Sequence, residues 1–564
     1  MTLKALTSSD AACGLRVVLL LDDLLVPAWI YEMLAEIRRI RNVEIVLVVL
    51  PSHGRDRLGA QGGRWRRMAA SANRLAYSLW TSNDRLRHKA LPDAFRTVNA
   101  EELLSACPKL SATVRREAAI LKVGDDDIQQ IRQIRPDVIL QLGSGSLQGE
   151  LLKVARFGVW SLHHGEHAAT RGSPPAAWEV LCSEPTTGSI LEVLTDSVDG
   201  GQMLFKSLAA TELKSVLRNR NNCFWKSARF IPRALEALIA APPVAWPPPQ
   251  AQSYRPYSKR LRGVPCNGAV CWGVFRRVLN ELAASLRRNL FREQWFIAWR
   301  LKERPEDPNN VFCRFHHLRP PKGRYWADPF PLHIGTSYYL FFEEFLRSAK
   351  KGRIMVSEML ADSAWGEPRV ALERPYHLSY PCVFFWEGQC FMVPESAANR
   401  TVELWRCVDF PCRWEYDVAL FQNVKALDST VIEIEGRLWM FTCMAAEGAR
   451  AYDELFLFHA TNPRGPWTPH RRNPVVSDAR CARPAGKPFF WNGRWLRPAQ
   501  DSTGTYGRRM TVREIELLTP EEYSEREVCS IEPQWAPGLL ATHTLNMADD
   551  LTVIDGCKRR CKFW

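Results

Sequence analysis

Four times in the second half of the chain, a short aromatic and aliphatic run reaches a glycine turn and leaves as a second such run: FPLHIGTSYYLFF, CVFFWEGQCFMV, TVIEIEGRLWMF and KPFFWNGRWLRP. The turn glycines are Gly335, Gly388, Gly436 and Gly493, so the pattern returns after 53, 48 and 57 residues. Aromatic and β-branched runs around a glycine read as hairpins, and a lone hairpin cannot bury both of its faces. A period near fifty residues is the length of a four-stranded blade, which buries its faces against neighbouring blades around a ring. A weaker fifth copy, MADDLTVIDG, has Asp550 in place of the glycine, 57 residues after Gly493. The expectation is an all-β five-bladed propeller over residues 294–564, with QWFIAW at 294–299 as the strand that closes the ring.

The first half reads differently, and 564 residues exceed what a single hydrophobic core can serve. RVVLLL at 16–21, a helical pattern through WIYEMLAEIRRI, VEIVLVVL at 43–50 and PDVILQLG at 136–143 alternate fully apolar strands with helices. That is the signature of a parallel sheet covered on both faces, and it predicts a Rossmann-like α/β domain over residues 1–240. No G-x-G-x-x-G follows the first strand, so a dinucleotide fingerprint is absent. Residues 51–90 read as an irregular basic excursion, either a solvated loop or a phosphate-binding surface. The proline-rich stretch APPVAWPPPQAQSYRPYSK, 241–259, reads as a stiff linker, and residues 241–293 as a connecting segment.

Within that segment, Val270, Val274, Val278, Leu282, Leu286 and Leu290 recur at helical spacing among Arg276, Arg277, Arg287, Arg288 and Arg292. The pattern fits a helix packed on a neighbouring domain or a basic amphipathic helix lying on an anionic membrane face. Lys and Arg exceed Asp and Glu by 75 to 61, a net charge of +14, which favours anionic partners such as phosphates without choosing among them. The amino-terminal stretch has no hydrophobic signal core with a cleavage site, which predicts a cytoplasmic protein. Sixteen scattered cysteines then read as reduced thiols. Cys407 with Cys412 and Cys557 with Cys561 lack the second pair that a tetrahedral zinc site needs, so no metal is expected.

The densest polar cluster of the first half is GVWSLHHGEHAATRGSPPAAWEVL, 158–181, followed by TTGSILEVLTDSVDGGQML, 186–204. It starts just past a buried strand, where open α/β sheets place ligands. Ser161-Leu162-His163, Arg171-Gly172, Thr187-Gly188 and Asp199-Gly200-Gly201 resemble, in order and spacing, the Asn-x-His, Arg-Gly, Thr-Gly and Asp-x-Gly elements of the methionyl-tRNA and sugar N-formyltransferase family. The likeness covers residues 15–210. It implies a cofactor, 10-formyltetrahydrofolate, whose formyl carbon is attacked by an amine with help from His163 and Asp199. It further implies Ser161 and His163 at the oxyanion, and Arg171, Gly172, Gly145, Leu147 and Gly200 around the cofactor. Ser161 stands where the family has Asn, and His164-Gly165 stands where it has Pro-Ser.

In the second half, YWADPF at 325–330, YYLFFEE at 338–344, KGRI at 351–354, ARPAG at 482–486 and RPAQD at 497–501 resemble the N-terminal domain of the plant glucosamine inositolphosphorylceramide transferase family. They look more distantly like five-bladed furanosidase propellers. Asp328, Glu344, Asp428, Arg483 and Asp501 come from different blades, and a propeller would bring such residues toward its axis, where carboxylates can bind sugar hydroxyls or act as paired acid and base. The combined expectation is one-carbon transfer to the amine of an amino sugar on a nucleotide or lipid carrier, with the propeller holding saccharide. Partners are then a phosphate-linked amino sugar or glycan, no specific nucleic acid, and a membrane surface through 270–292. Glycosyl transfer or hydrolysis in the propeller, or a non-catalytic carbohydrate-binding protein, are the alternatives.

Overall fold

The computed structural model describes residues 14–52, 72–89, 92–117, 120–165, 174–196, 201–240, 252–253, 263–301, 315–361, 363–445, 448–504 and 507–562. Contacts divide the chain into two compact units, Met1–Ser207 with Glu212–Val274 and Glu447–Ala449, and Leu208–Thr211 with Phe275–Ala446 and Arg450–Trp564.

The first unit is built on strands β1 (Leu15–Leu20), β2 (Val43–Pro51), β3 (Lys109–Ala112), β4 (Val138–Gln141), β5 (Val159–His164) and β6 (Thr186–Val193). Their spatial order is β6-β5-β4-β1-β2-β3. All pairs from β5 to β3 are parallel, and β6 joins β5 antiparallel. Val17, Val18, Leu19, Ile139 and Leu140 are fully buried, because each strand of a doubly covered sheet faces a helix on both sides. The helix Ala28–Ile37 supplies one cover, burying Trp29, Ile30, Met33, Leu34 and Ile37 on one face. Chain order reverses between β1 and β4, and their carboxyl ends are tied there: Asp22 Oδ2 accepts from the Ser144 backbone N–H at 2.8 Å and its hydroxyl at 2.7 Å. A Cβ on Gly143 would lie 2.6 Å from the Asp22 carboxylate, so the close approach requires glycine.

Part of the basic excursion is helical. Leu75–Arg87 forms a helix, with Tyr77 and Trp80 packed against Ala177, Val180 and Val216 and Asp84 accepting from the backbone N–H of Leu217. These aromatic contacts are long-range, which is why local composition read the segment as irregular. The remainder of the excursion at 53–71, and most of the proline-rich stretch, lie outside the described residues.

The second unit is a five-bladed propeller. Blade I runs Arg324–Ile334, Ser337–Leu346, Lys351–Glu358, Arg369–Leu372, and blade II Ser379–Trp386, Gln389–Ser396, Thr401–Asp409, Arg413–Gln422. Blade III begins at Ala426–Ile434 and blade IV at Arg483–Pro484. In blade V the last strand, Leu551–Cys561, pairs along its whole length with Phe291–Leu301 from the start of the unit. The ring is therefore closed by its two ends, with QWFIAW inside the closing strand.

The turn glycines sit where the repeat puts them. Glu387-Gly388, Glu435-Gly436 and Asn492-Gly493 each join two paired strands with both residues at positive φ, the two-residue turn that matches strand twist. In blade V, Asp549 takes the positive φ between Ala548 and Leu551, which explains how an aspartate pair replaces glycine there. Core side chains such as Phe330, Phe341, Tyr380, Leu404 and Val431 lie in one cluster spanning blades I to III, so blades stack face to face.

Candidate functional site in the propeller

The innermost strand of every blade is interrupted once. In blades I, II and III the pairing register slips between Ala327 and Phe330, Ser379 and Cys382, and Leu427 and Thr430. Each slip contains one residue at positive φ: Asp328 at 51°, Tyr380 at 45° and Asp428 at 51°. Blade IV breaks after Arg483–Pro484, and blade V breaks between Leu539–Ala541 and Leu545–Ala548, around His543. A bulge re-aims one side chain out of the strand's alternation. Five blades so contribute Asp328, Tyr380, Asp428, Arg483 and His543, all buried.

These side chains bond to one another. Arg483 donates through Nε to Asp428 Oδ2 at 2.5 Å and through a terminal nitrogen to Oδ1 at 3.3 Å, and the Gln500 amide donates to Oδ2 at 3.0 Å. His543 stands between two carboxylates, with Nδ1 at 2.7 Å from Asp555 Oδ2 and Nε2 at 3.4 Å from Asp328 Oδ1. The Thr544 hydroxyl donates to Asp328 Oδ1 at 2.8 Å, and the Tyr380 N–H to Oδ2 at 3.3 Å. The Tyr380 hydroxyl lies 2.8 Å from Thr430 Oγ1 and accepts from the Gly486 N–H at 2.8 Å. From the second strands, Glu395 accepts from the Asp428 N–H, and Glu343 lies in the field of Asp328, Glu395, Asp555 and Asp428.

Burial and like charges push carboxyl proton affinities up. Asp328 is raised to about 6, chiefly by burial, with Asp428 and Asp555 adding to the rise and His543 opposing it. Burial first, then neighbouring carboxylates, drives Glu343 and Glu395 well above the usual range. Burial alone would lower His543, but Asp555 and Asp328 outweigh it and hold the imidazole protonated above its ordinary value. Asp328, His543 and Asp555 also bring ligand atoms within 4.8 Å of one another, a spacing that could hold a metal. In the arrangement seen, the His543 ring stands between the two carboxylates.

Sign and window follow from these directions. A carboxyl that holds its proton more tightly in the folded than in the unfolded chain favours folding below its ordinary value, and that advantage is lost as pH rises through the folded value. For Asp328 the window runs from about pH 4 to about 6 and is worth on the order of 3 kcal/mol. Raised His543 acts in the same sense above pH 6.5. The unfolding free energy is expected to be lower at pH 8 than at pH 5, and Asp328→Asn to flatten much of the difference, as urea titrations across pH would read. An unchanged slope in that variant would contradict the assignment.

Asp328, Asp428 and Arg483 thus converge. Glu344 does not join them: strand alternation turns it away from Glu343, and it accepts from Arg353 Nε at 3.0 Å, from Arg324 and from the Trp326 indole in a structural ion-pair group. Asp501 likewise serves a turn, bonding Thr503 and Arg509, while its neighbour Gln500 reaches Asp428. Tyr380, His543, Glu343, Glu395 and Asp555 were missed. The spacing of 52, 48, 55 and 60 residues along Asp328, Tyr380, Asp428, Arg483 and His543 carries the signal that would have found the first two.

In the first unit, Ser161 and His163 lie half-buried at the carboxyl end of β5. His164 is held inward, stacked on Phe224 at 3.6 Å and bonded to Ser227 Oγ at 2.8 Å, and burial lowers it to about 3. Gly145 follows β4 at a φ of 113°. Leu147 is 4 % exposed and belongs to the core with Leu121 and Leu151, so its side chain does not face a ligand. Asp199, Arg171, Gly172 and Gly200 lie outside the described residues.

Comparison with known proteins places both resemblances on this chain. Residues 311–536 match the family model described as glucosamine inositolphosphorylceramide transferase 1, N-terminal. Glucosamine inositolphosphorylceramide transferase 1 of Oryza sativa subsp. japonica is 36% identical over 203 residues, 35% of this chain and 27% of that protein. The methionyl-tRNA formyltransferase of Clostridium acetobutylicum is 29% identical over 108 residues, 18% of this chain and 35% of the relative. The chain therefore spans about a quarter to a third of the curated relatives it matches. Among solved structures, the catalytic domain of a Coprinopsis cinerea GH62 alpha-L-arabinofuranosidase shares 11% identity at a TM-score of 0.33, covering 47% of this chain and 97% of that one.

Proposed function

We propose that this protein is a transferase that moves a one-carbon, formyl unit onto the amine of a carrier-linked amino sugar, with the propeller holding the sugar. One observation carries the sugar half of the reading: the charge of the buried propeller cluster does not balance. Among the described residues, Asp328, Asp428, Asp555, Glu343 and Glu395 face Arg483 and His543, together with His377, which lies 3.7 Å from Glu343 and whose proton affinity burial lowers. Buried carboxylates without partners either keep a proton or take a cationic ligand, and the raised proton affinities reflect that demand. An amino sugar meets it with an ammonium group and hydroxyls on one ring. Glu395 is the most exposed carboxyl of the cluster, its side chain 13 % exposed against 2 % for Asp428.

The one-carbon half rests on the formyltransferase similarity and on His163 at a strand end beside the switch point. At the end of the neighbouring strand β4, Gly145 takes a φ of 113°, and Gly143 gives its side-chain space to the Asp22 carboxylate. When bound, 10-formyltetrahydrofolate supplies the electrophilic carbon. His163 would take a proton from the attacking amine and return one to the tetrahydrofolate nitrogen, which would depart as its bond to the formyl carbon breaks, with Ser161 donating a hydrogen bond near the reacting oxygen.

Calorimetric titration of the full chain with a glucosamine glycoside and the matching glucoside tests the sugar half. The amino sugar is expected to bind more tightly, and Asp328→Ala to weaken it by about 1–3 kcal/mol through lost buried hydrogen bonds. Equal affinity for the two sugars would remove the argument. A second reading, glycosyl transfer or hydrolysis by the propeller, is favoured by the raised proton affinity of Asp328, Glu343 and Glu395, since a carboxyl that holds its proton can act as the acid at a glycosidic bond. Product analysis separates the two: a formylated amine supports the first reading, and a new or cleaved glycosidic bond the second.

A further inference from the structure

The helix Asn267–Leu290 buries only Val270 and Gly273 among its residues. A Cβ on Gly273 would lie 2.4 Å from Leu181, so the first turns are packed tightly. Beyond them the apolar stripe is exposed, so packing on a neighbour, one of the two readings of this segment, holds the first turns alone: Trp272 is 66 % exposed, Phe275 53 %, Leu279 49 %, Leu282 63 %, Leu286 61 % and Leu290 41 %. At 100° per residue these six fall on one face. Arg276 and Arg287 flank that face on one edge, and Arg277 and Arg288 lie behind it, with Glu281 the helix's one acidic residue.

We infer that this helix is a membrane-surface anchor, lying in the plane of an anionic bilayer with the stripe from Trp272 to Leu290 in the acyl boundary. No described helix is long and apolar enough to cross a membrane, so in-plane binding is the geometry open to this one. The choice of occupant rests on charge. The helix carries four arginines against one acid, Glu281, which lies 3.9 Å from Arg288, so a second copy would set like net charge against like, whereas an anionic headgroup layer attracts it and long arginine stems reach that layer from the edge of an apolar face. The chain's +14 net charge points the same way.

Co-sedimentation of the full-length protein with phosphatidylcholine vesicles, with and without phosphatidylserine, tests this. Binding is expected only with the anionic lipid and to fall as salt rises. Leu282→Asp with Leu286→Asp, and separately Arg276→Glu with Arg287→Glu, should each weaken it by about tenfold or more. Leu282, Leu286 and Arg287 are exposed and Arg276 partly so, and circular dichroism of each variant should match the parent. Failure to bind anionic vesicles, equal binding to neutral ones, or binding that survives the leucine changes would overturn the proposal. So would a concentration-dependent dimer in sedimentation velocity that the leucine changes abolish, since that assigns the stripe to a second copy.

Discussion

Arg483→Met is expected to destabilise the propeller by about 3–5 kcal/mol, the cost of stranding a buried charge. Arg483 and Asp428 are 7 % and 2 % exposed in their side chains, and without the guanidinium Asp428 retains only the Gln500 amide as a side-chain donor among the described contacts. The surroundings make matters worse, because burial, and after it the Asp428 charge, already push the proton affinity of Glu395 well above the usual range. The loss should appear as a lower urea midpoint in the tryptophan fluorescence transition. Adding Asp428→Asn should recover more than half of it, since the stranded charge is then gone and contacting residues do not contribute additively. A loss below about 1 kcal/mol for the single change would mean that water or relaxation reaches the site and that the cluster is not sealed.

His163→Ala is expected to lower one-carbon transfer by about 10²–10⁴-fold, the range for removing a positioned acid or base, while leaving saccharide affinity unchanged. The side chain is half-buried at the end of β5 with Nε2 itself buried, so the urea midpoint of the variant, read beside its activity, separates lost chemistry from lost packing. His164→Ala is the contrast. Its ring stacks on Phe224 and bonds Ser227, so that change should lower stability, with activity lost only in proportion. If His163→Ala kept full transfer activity, the proton would have to leave by another group and the formyltransferase reading of the first unit would fail.

Sheet type and blade count were readable because their causes are local. Val17, Val18 and Leu19 are apolar without alternation, and an uninterrupted apolar strand is stable only between two layers. Each blade announces itself by a two-residue turn that demands positive φ, as at Glu435-Gly436, and such turns mark the sequence with glycine or its nearest substitutes. The helix Leu75–Arg87 was not readable, because what holds Tyr77 and Trp80 is Ala177, Val180 and Val216, about a hundred residues or more away.

For the propeller site, the sequence by itself determined that Asp328, Asp428 and Arg483 recur at one point of the repeat. Tertiary structure decided the rest. Which of Glu343 and Glu344 turns inward depends on the phase of strand alternation, and a bulge at Asp328 shifts that phase by one residue without any mark in composition. Glu344 found Arg324 and Arg353 close by, while Glu343 was left among carboxylates. Tyr380 and His543 share the position of the aspartates but not their chemistry, so residue type concealed them. The bond from Thr544 to Asp328 joins positions 216 residues apart, brought together only when the last strand pairs with the first and closes the ring. The charge imbalance at the centre is a property of that closure: no single blade carries it, and it exists only because five inner strands bring their charges to one low-dielectric place.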